Sequence, residues 1–173
     1  MIDSKELTAL LAATKVLVVD DEHYMRKVVR TLLTSIGVRT VYEAPDGPTG
    51  LETIRSMSPD IVIVDWQMPG LDVASFVRMV RSPETFPFPN VPIIMLTGHG
   101  ERSRVIEAVK IGVNEFLLKP VSSKALHSRM VSVLTKPRMV VKAGDYYGPL
   151  PRNLAVAMNE DADDAMTALV LVN

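Results

Sequence analysis

The sequence predicts an α/β protein: a doubly wound five-stranded parallel sheet of order 2-1-3-4-5, with an N-terminal helix and a C-terminal extension. Three observations lead there. Short apolar runs alternate with amphipathic stretches over residues 14–136, and strands separated by helices imply a parallel sheet with right-handed crossovers. The run Ile61-Val62-Ile63-Val64 is apolar on both faces, which suits a central strand covered by helices on each side. Of the two common doubly wound orders, a five-stranded unit favours 2-1-3-4-5.

The elements follow in order. Residues 3–13 read as a short helix. Residues 16–20 are a β-branched run ending in acid. Met25, Val28, Val29, Leu32, Leu33 and Ile36 recur at helical spacing, and Gly37 supplies the stop. A weaker strand is expected over 38–42. Asp46 offers an N-cap with Pro48 in the first turn. After the 61–64 strand, Pro69-Gly70 turns the chain, and Asp72 caps a helix carrying Val73, Phe76, Val77 and Val80. The Pro-rich stretch 82–90 is a loop. A strand at 92–96, a helix at 101–111, a strand at 115–118 and a helix at 122–135 complete the set. No internal repeat of 20–50 residues is visible.

Composition narrows the function classes. The chain has 173 residues, 47% hydrophobic and 23% charged, with a net charge of −1. That excludes disorder throughout. Cysteine is absent, which removes disulfides, thiolate zinc sites and Cys nucleophiles. Together with the lack of a secretory h-region in residues 1–13, this suggests the cytoplasm. No apolar run approaches the ~18 residues needed to span a bilayer. Residues 1–136 hold 16 Lys+Arg against 15 Asp+Glu, and residues 137–173 hold 3 against 5. Neither part carries the basic surplus of a nucleic-acid binder. No nucleic acid and no membrane are expected as partners.

The chemistry gathers at strand ends. In open α/β sheets, sites form outside the carboxyl ends of the strands. Asp20 and Asp21 end the first strand, Asp65 the third, Thr97 the fourth and Lys119 the fifth. Each alone has a structural explanation: an Asp at a strand end often caps the next helix, and Thr97-Gly98 reads as a turn. The five together are not a chance pattern. Three carboxylates in a small volume repel, and either protonation or a bound cation relieves them. Oxygen-only ligands suit Mg²⁺. A carboxylate can also serve as nucleophile and become an aspartyl phosphate. Lys119 and Thr97 are placed to neutralise phosphoryl oxygens.

These residues resemble the receiver domain of two-component response regulators, a flavodoxin-like fold that also occurs as a stand-alone CheY-like protein. The resemblance covers roughly 14–136 and rests on Val-Val-Asp20-Asp21-Glu22, Asp65-Trp66-Gln67-Met68-Pro69-Gly70, Ile-Ile-Met-Leu-Thr97-Gly98 and Phe116-Leu-Leu-Lys119-Pro120. It implies that Asp65 is the phosphoacceptor, and that Asp20, Asp21, Asp65 and the backbone carbonyl of Gln67 hold Mg²⁺. It implies that Lys119 and Thr97 bind the phosphoryl oxygens, that Lys119-Pro120 is cis, and that Thr97 and Phe116 form the switch. The expected donor is a sensor histidine kinase or a histidine phosphotransfer protein. The expected output is contact between the 101–135 face and a downstream protein. The chain is then a switch rather than an enzyme, with Mg²⁺-dependent self-phosphorylation and autodephosphorylation. Gly98 stands where Ala is usual. Gln67 and His99 occupy positions that tune acyl-phosphate lifetime in the family.

Two rival functions remain at this stage. One is a Mg²⁺-dependent phosphohydrolase, although the Asp-x-Asp arrangement of haloacid-dehalogenase-type enzymes is missing from Asp20-Asp21. The other is an interaction module that works without phosphorylation. Three segments are expected: an N-terminal helix (1–13), the receiver domain (14–136) and a C-terminal extension (137–173). The extension is too short for a winged-helix effector. Its 144–153 stretch is rich in turn residues. Leu154, Met158, Ala162, Ala165, Met166 and Leu169 fall on one helical stripe with Asn153 as N-cap, although 167–172 reads equally as a strand. The extension is expected to dock on its own receiver or on a second subunit, making a homodimer, and so to compete with or form the output surface.

Overall fold

The computed structural model describes residues 1–98 and 102–150. The chain runs α1 (Ser4–Ala13), β1 (Lys15–Val19), α2 (His23–Ser35), β2 (Thr40–Ala44), α3 (Gly47–Met57), β3 (Ile61–Asp65), α4 (Val73–Val80), β4 (Ile93–Thr97), α5 (Arg102–Ile111), β5 (Glu115–Leu118) and α6 (Ser123–Thr135). A hairpin follows, made of β6 (Val140–Ala143) and β7 (Tyr146–Pro149). The first five strands form one parallel sheet of order β2-β1-β3-β4-β5.

Both faces of that sheet are core. Leu17, Val19, Val62, Val64, Ile93 and Met95 pack under α3, α4 and α5. Their neighbours Val16, Val18, Ile61, Ile63, Ile94 and Leu96 pack under α2 and α6. This is the period-2 alternation of a strand with both sides made apolar. The N-terminal helix α1 joins the second layer through Leu11, which is 3% exposed. Its start is a reciprocal capping box: Asp3 Oδ1 accepts from Glu6 N, and Glu6 Oε2 accepts from Asp3 N. Asp46, Asp72 and Ser122 cap α3, α4 and α6 through the backbone N–H groups of Thr49, Ser75 and Ala125.

The second strand starts later than the sequence suggests, at Thr40 rather than residue 38. Gly37 sits at φ +108. The N–H of Val38 reaches back to Leu33 O, and that of Gly37 to Thr34 O. Val38 therefore serves the Schellman closure of α2 and its apolar contact, not the ladder.

The larger correction lies after α6. The turn-rich stretch at 144–153 supplies a strand, β7, which pairs antiparallel with β6 around Gly144-Asp145. Val140-Val141 and Tyr146-Tyr147 favour extended backbone, and a two-residue Gly-Asp connection suits a hairpin. The hairpin packs on the body of the protein. Tyr147 Oη donates to Asn90 Oδ1 at 2.6 Å. Arg138 pairs with Glu115 at 3.0 Å. A Cβ on Gly148 would lie 3.1 Å from the Gly112 Cα, so a side chain there would have to push β7 and the end of α5 apart by a few tenths of an ångström. The expected helix or strand beyond 153 lies outside the described residues.

Arg81, the C-cap of α4, is 5% exposed. Its guanidinium donates to Pro89 O, Val91 O, Gly112 O and Asn114 Oδ1 at 2.6–2.9 Å. It thereby ties together α4, the Pro-rich loop and the α5–β5 connection. Burial lowers its pKa to about 10, which still leaves it charged at neutral pH. Burial also raises the Tyr146 hydroxyl to about 12.

Candidate functional site

The register brings the chemistry-bearing residues to one edge. Val19 pairs with Val64, Asp65 with Leu96 and Thr97 with Leu118. Asp20, Asp65, Thr97 and Lys119 therefore emerge at neighbouring strand ends. The order places β1 beside β3, on the two sides of the point where the winding reverses, which is where such sheets open a crevice. The crevice is a cleft of about 550 Å³ lined by Asp21, Glu22, Asp65, Trp66, Gln67, Met68, Pro69 and Lys119.

Asp20, Asp21 and Asp65 each offer a carboxylate oxygen, and these atoms lie within 4.8 Å of one another. Asp20 and Asp65 are buried, whereas Asp21 is exposed. Lys119 Nζ donates to Asp65 Oδ2 at 2.6 Å, and Gln67 N donates to Asp65 Oδ1 at 3.1 Å. Both Asp65 oxygens are thus oriented. Asp20 Oδ1 accepts from Glu22 N at 2.9 Å, but Asp20 Oδ2 is buried with no hydrogen-bond partner. An orphaned carboxylate oxygen facing two further carboxylates is a poor arrangement for a protein alone. It fits a hard divalent cation with oxygen ligands.

Charge behaviour agrees. Burial raises the Asp20 carboxyl from 3.8 to about 6; the Glu22 N–H opposes this, and the Asp65 charge adds to it. The folded state then holds this proton more tightly than the unfolded chain does. The stabilising contribution is complete below about pH 4 and is lost as pH rises through about 6. For the metal-free protein we expect Asp20 to remove about 3 kcal/mol at most across that window. Urea midpoints measured with chelator at pH 4.5 and pH 7 check it: Asp20→Asn should flatten the fall, and an equally steep fall in that variant would assign it elsewhere.

The remaining expected residues are less central to the cleft. Thr97 is buried at 2% exposure at the end of β4, and its carbonyl accepts from Lys119 N at 2.9 Å. Phe116 lies on the edge strand, half-buried, opposite Met95 in register. The Arg129 guanidinium stands 6.0 Å from its ring, and Arg129 Nε donates to Phe116 O. The Lys119–Pro120 bond is cis. Gly98 is exposed, and a Cβ there would meet nothing within 4 Å, so no crowding among the described residues demands glycine. His99 lies outside the described residues. Sequence reasoning overlooked Arg26, which donates to Asp20 O at 2.6 Å and pairs with Glu43 at 3.4 Å. Its only signal was a cation one turn into the helix after the acidic pair.

A doubly wound sheet with an acidic cleft at the switch point and a lysine across it defines a class of α/β proteins that gather their polar groups at the carboxyl edge of the sheet. The family profile described as the response regulator receiver domain matches residues 16–131, and the chain belongs to that family. The chemotaxis protein CheY of Pseudomonas aeruginosa is 33% identical over 122 residues, which are 70% of this chain and 97% of that protein. Chemotaxis protein CheY1 of Helicobacter pylori is 36% identical over 121 residues, 69% of this chain and 96% of that protein. Among solved structures, chemotaxis protein CheY4 of Vibrio cholerae superposes with a TM-score of 0.63 at 31% identity, covering 70% of this chain and 98% of that one. A response regulator receiver domain protein from Clostridium thermocellum gives 0.63 at 31%, covering 71% and 95%. Among the described residues, no helix is long and apolar enough to cross a membrane.

Proposed function

We propose that this receiver domain accepts a phosphoryl group on Asp65 from a phosphohistidine donor, and passes the signal on by protein contact through its 101–135 face. The donor is a sensor histidine kinase or a histidine phosphotransfer protein. The observation that supports this most is the pairing of Asp65 with Lys119 beside the partnerless Asp20 oxygen. In the transfer, an Asp65 oxygen bonds to phosphorus as the phosphorus–nitrogen bond to the donor imidazole breaks. The imidazole leaves with the electron pair and takes a proton from water. Lys119 then shifts from the carboxylate to a phosphoryl oxygen, and the Thr97 hydroxyl takes up another. Asp20, Asp21, Asp65 and the Gln67 carbonyl would hold Mg²⁺. When bound, Mg²⁺ supplies positive charge against the carboxylates and the incoming phosphate.

Signalling is a population shift: the phosphorylated cleft must favour one arrangement of Thr97 and Phe116 over the other. Phe116 has no hydroxyl, so its inward state gains packing but no phenol hydrogen bond. The cytoplasm is the compartment that suits a kinase partner.

Incubation with acetyl phosphate and Mg²⁺, followed by intact-mass analysis, tests the reading. We expect one added phosphoryl group per chain with Mg²⁺ and none with chelator. An unchanged mass in both would refute it.

A further inference from the structure

We infer that Arg26 is a positioning residue for the acidic cleft: its guanidinium fixes the Asp20–Asp21 peptide and so sets where both carboxylates stand for a bound cation. The inference rests on the proposed reading only in taking the cleft as a Mg²⁺ site.

The polar atoms of Asp20 are held one by one. Its N–H donates to Ala44 O at 3.1 Å, at the end of β2. Its Oδ1 accepts from Glu22 N at 2.9 Å. Its carbonyl accepts from Arg26 Nη1 at 2.6 Å. Oδ2 is left without a partner, and is the atom open to a cation. Ala44 and Glu22 contribute backbone atoms, which any sequence with this fold would supply. Arg26 contributes a side chain, and it holds the atom with the longest reach. The Asp20 carbonyl belongs to the peptide that joins Asp20 to Asp21. A peptide is planar, so holding its oxygen also sets the Asp21 nitrogen and the point from which the Asp21 side chain starts. Asp21 is exposed, yet its carboxylate lies within 4.8 Å of those of Asp20 and Asp65.

Arg26 is itself held. Its N–H donates to Glu22 O at 3.1 Å, closing the first turn of α2. Its Nε stands 3.4 Å from Glu43 Oε1 on β2, and its side chain is 13% exposed. Its other amino nitrogen lies 3.3 Å from His23 Nδ1. Arg30 shares Glu43, with Nε 2.9 Å from Oε2, but its guanidinium goes on to Val41 O and not to Asp20. Both arginines therefore join α2 to β2, and Arg26 extends that brace to the acidic loop. Charge and position act in opposite directions here. A guanidinium near a cation site repels the cation, whereas a bond that orients the ligands favours it. The sign of the effect on cation affinity separates the two.

Mn²⁺ shares the preference of Mg²⁺ for oxygen ligands, and the paramagnetic resonance of the free ion fades as it binds. With the full-length native chain and no phosphodonor, one Mn²⁺ should bind per chain and be displaced by Mg²⁺. Arg26→Met keeps most of the stem and should weaken binding about tenfold. Arg26→Lys keeps the charge but not the fork that reaches Asp20 and Glu43 together. Its affinity should fall between those two, and it carries the test should Arg26→Met not fold. Arg30→Met removes a neighbouring charge and a bond to the same Glu43, and should not weaken binding even where it lowers the urea midpoint. Native-like or tighter binding in the folded Arg26 variants would reduce Arg26 to a charge or a brace. A fall of equal size in Arg30→Met would assign the effect to α2–β2 packing. Either result overturns the inference and leaves the cleft a cation site, whereas no binding by the native chain would overturn both.

Discussion

Asp65→Asn is expected to abolish phosphoryl uptake from acetyl phosphate while leaving the fold intact. Asparagine keeps the shape of the side chain and an acceptor oxygen for the Gln67 N–H, which lies 3.1 Å from the native carboxylate. It has no anionic oxygen to attack phosphorus. Removing a nucleophile from an otherwise complete site lowers rates by about a thousandfold or more, so the variant's mass should not change. Stability should hold or rise in metal-free buffer. The Asp65 charge is one cause of the raised Asp20 pKa, and its loss lets Asp20 ionise more readily. Lys119, whose side chain is 20% exposed, loses its ion pair but keeps access to water. A phosphorylated Asp65→Asn chain would place the acceptor elsewhere, and a large fall in urea midpoint would make Asp65 structural first.

Arg81→Ala is expected to produce the largest loss of stability, about 3–5 kcal/mol. The side chain is 5% exposed and donates to three backbone carbonyls and the Asn114 amide oxygen. Truncation leaves these acceptors without their donor in a place water enters poorly, and each buried orphan costs about 1–3 kcal/mol before relaxation. Asn114 Oδ1 also accepts from Ile93 N at the start of β4, so the damage extends into the sheet. Arg81→Lys should recover only part of the loss, because one ammonium cannot reproduce the planar fork. Urea unfolding with an unchanged slope reads the effect. A loss below about 1 kcal/mol would show that the carbonyls find other donors.

The positions of the candidate site residues were legible early because they follow from where strands end. A run such as Ile61-Val62-Ile63-Val64, short, β-branched and bounded by Pro59 and Asp65, suits a covered strand, which puts the acid after it at the sheet's edge. The same argument places Asp20, Thr97 and Lys119. The helix caps at Asp46 and Asp72 were equally local. The start of β2 was misjudged because Val38 is β-branched, and nothing local says that it closes a helix instead. The hairpin was misread because Gly, Asp and Pro in 144–153 mark turns, while the strand between them is held by a distant partner, Asn90. Its signal, a two-residue Gly-Asp link between Val-Val-Lys-Ala and Tyr-Tyr, was present but weak.

Local rules thus determined the alternation of strands and helices, the strand-end positions of the polar groups and the family to which they point. Folding alone decided that Asp20 Oδ2 would be buried without a partner, that Arg81 would bind carbonyls from two separate segments, and that the extension would cover the base of α5. Each of those depends on atoms far apart in the chain meeting at hydrogen-bond distance. Propensity and periodicity describe only a few consecutive residues, so they carry no information about such meetings.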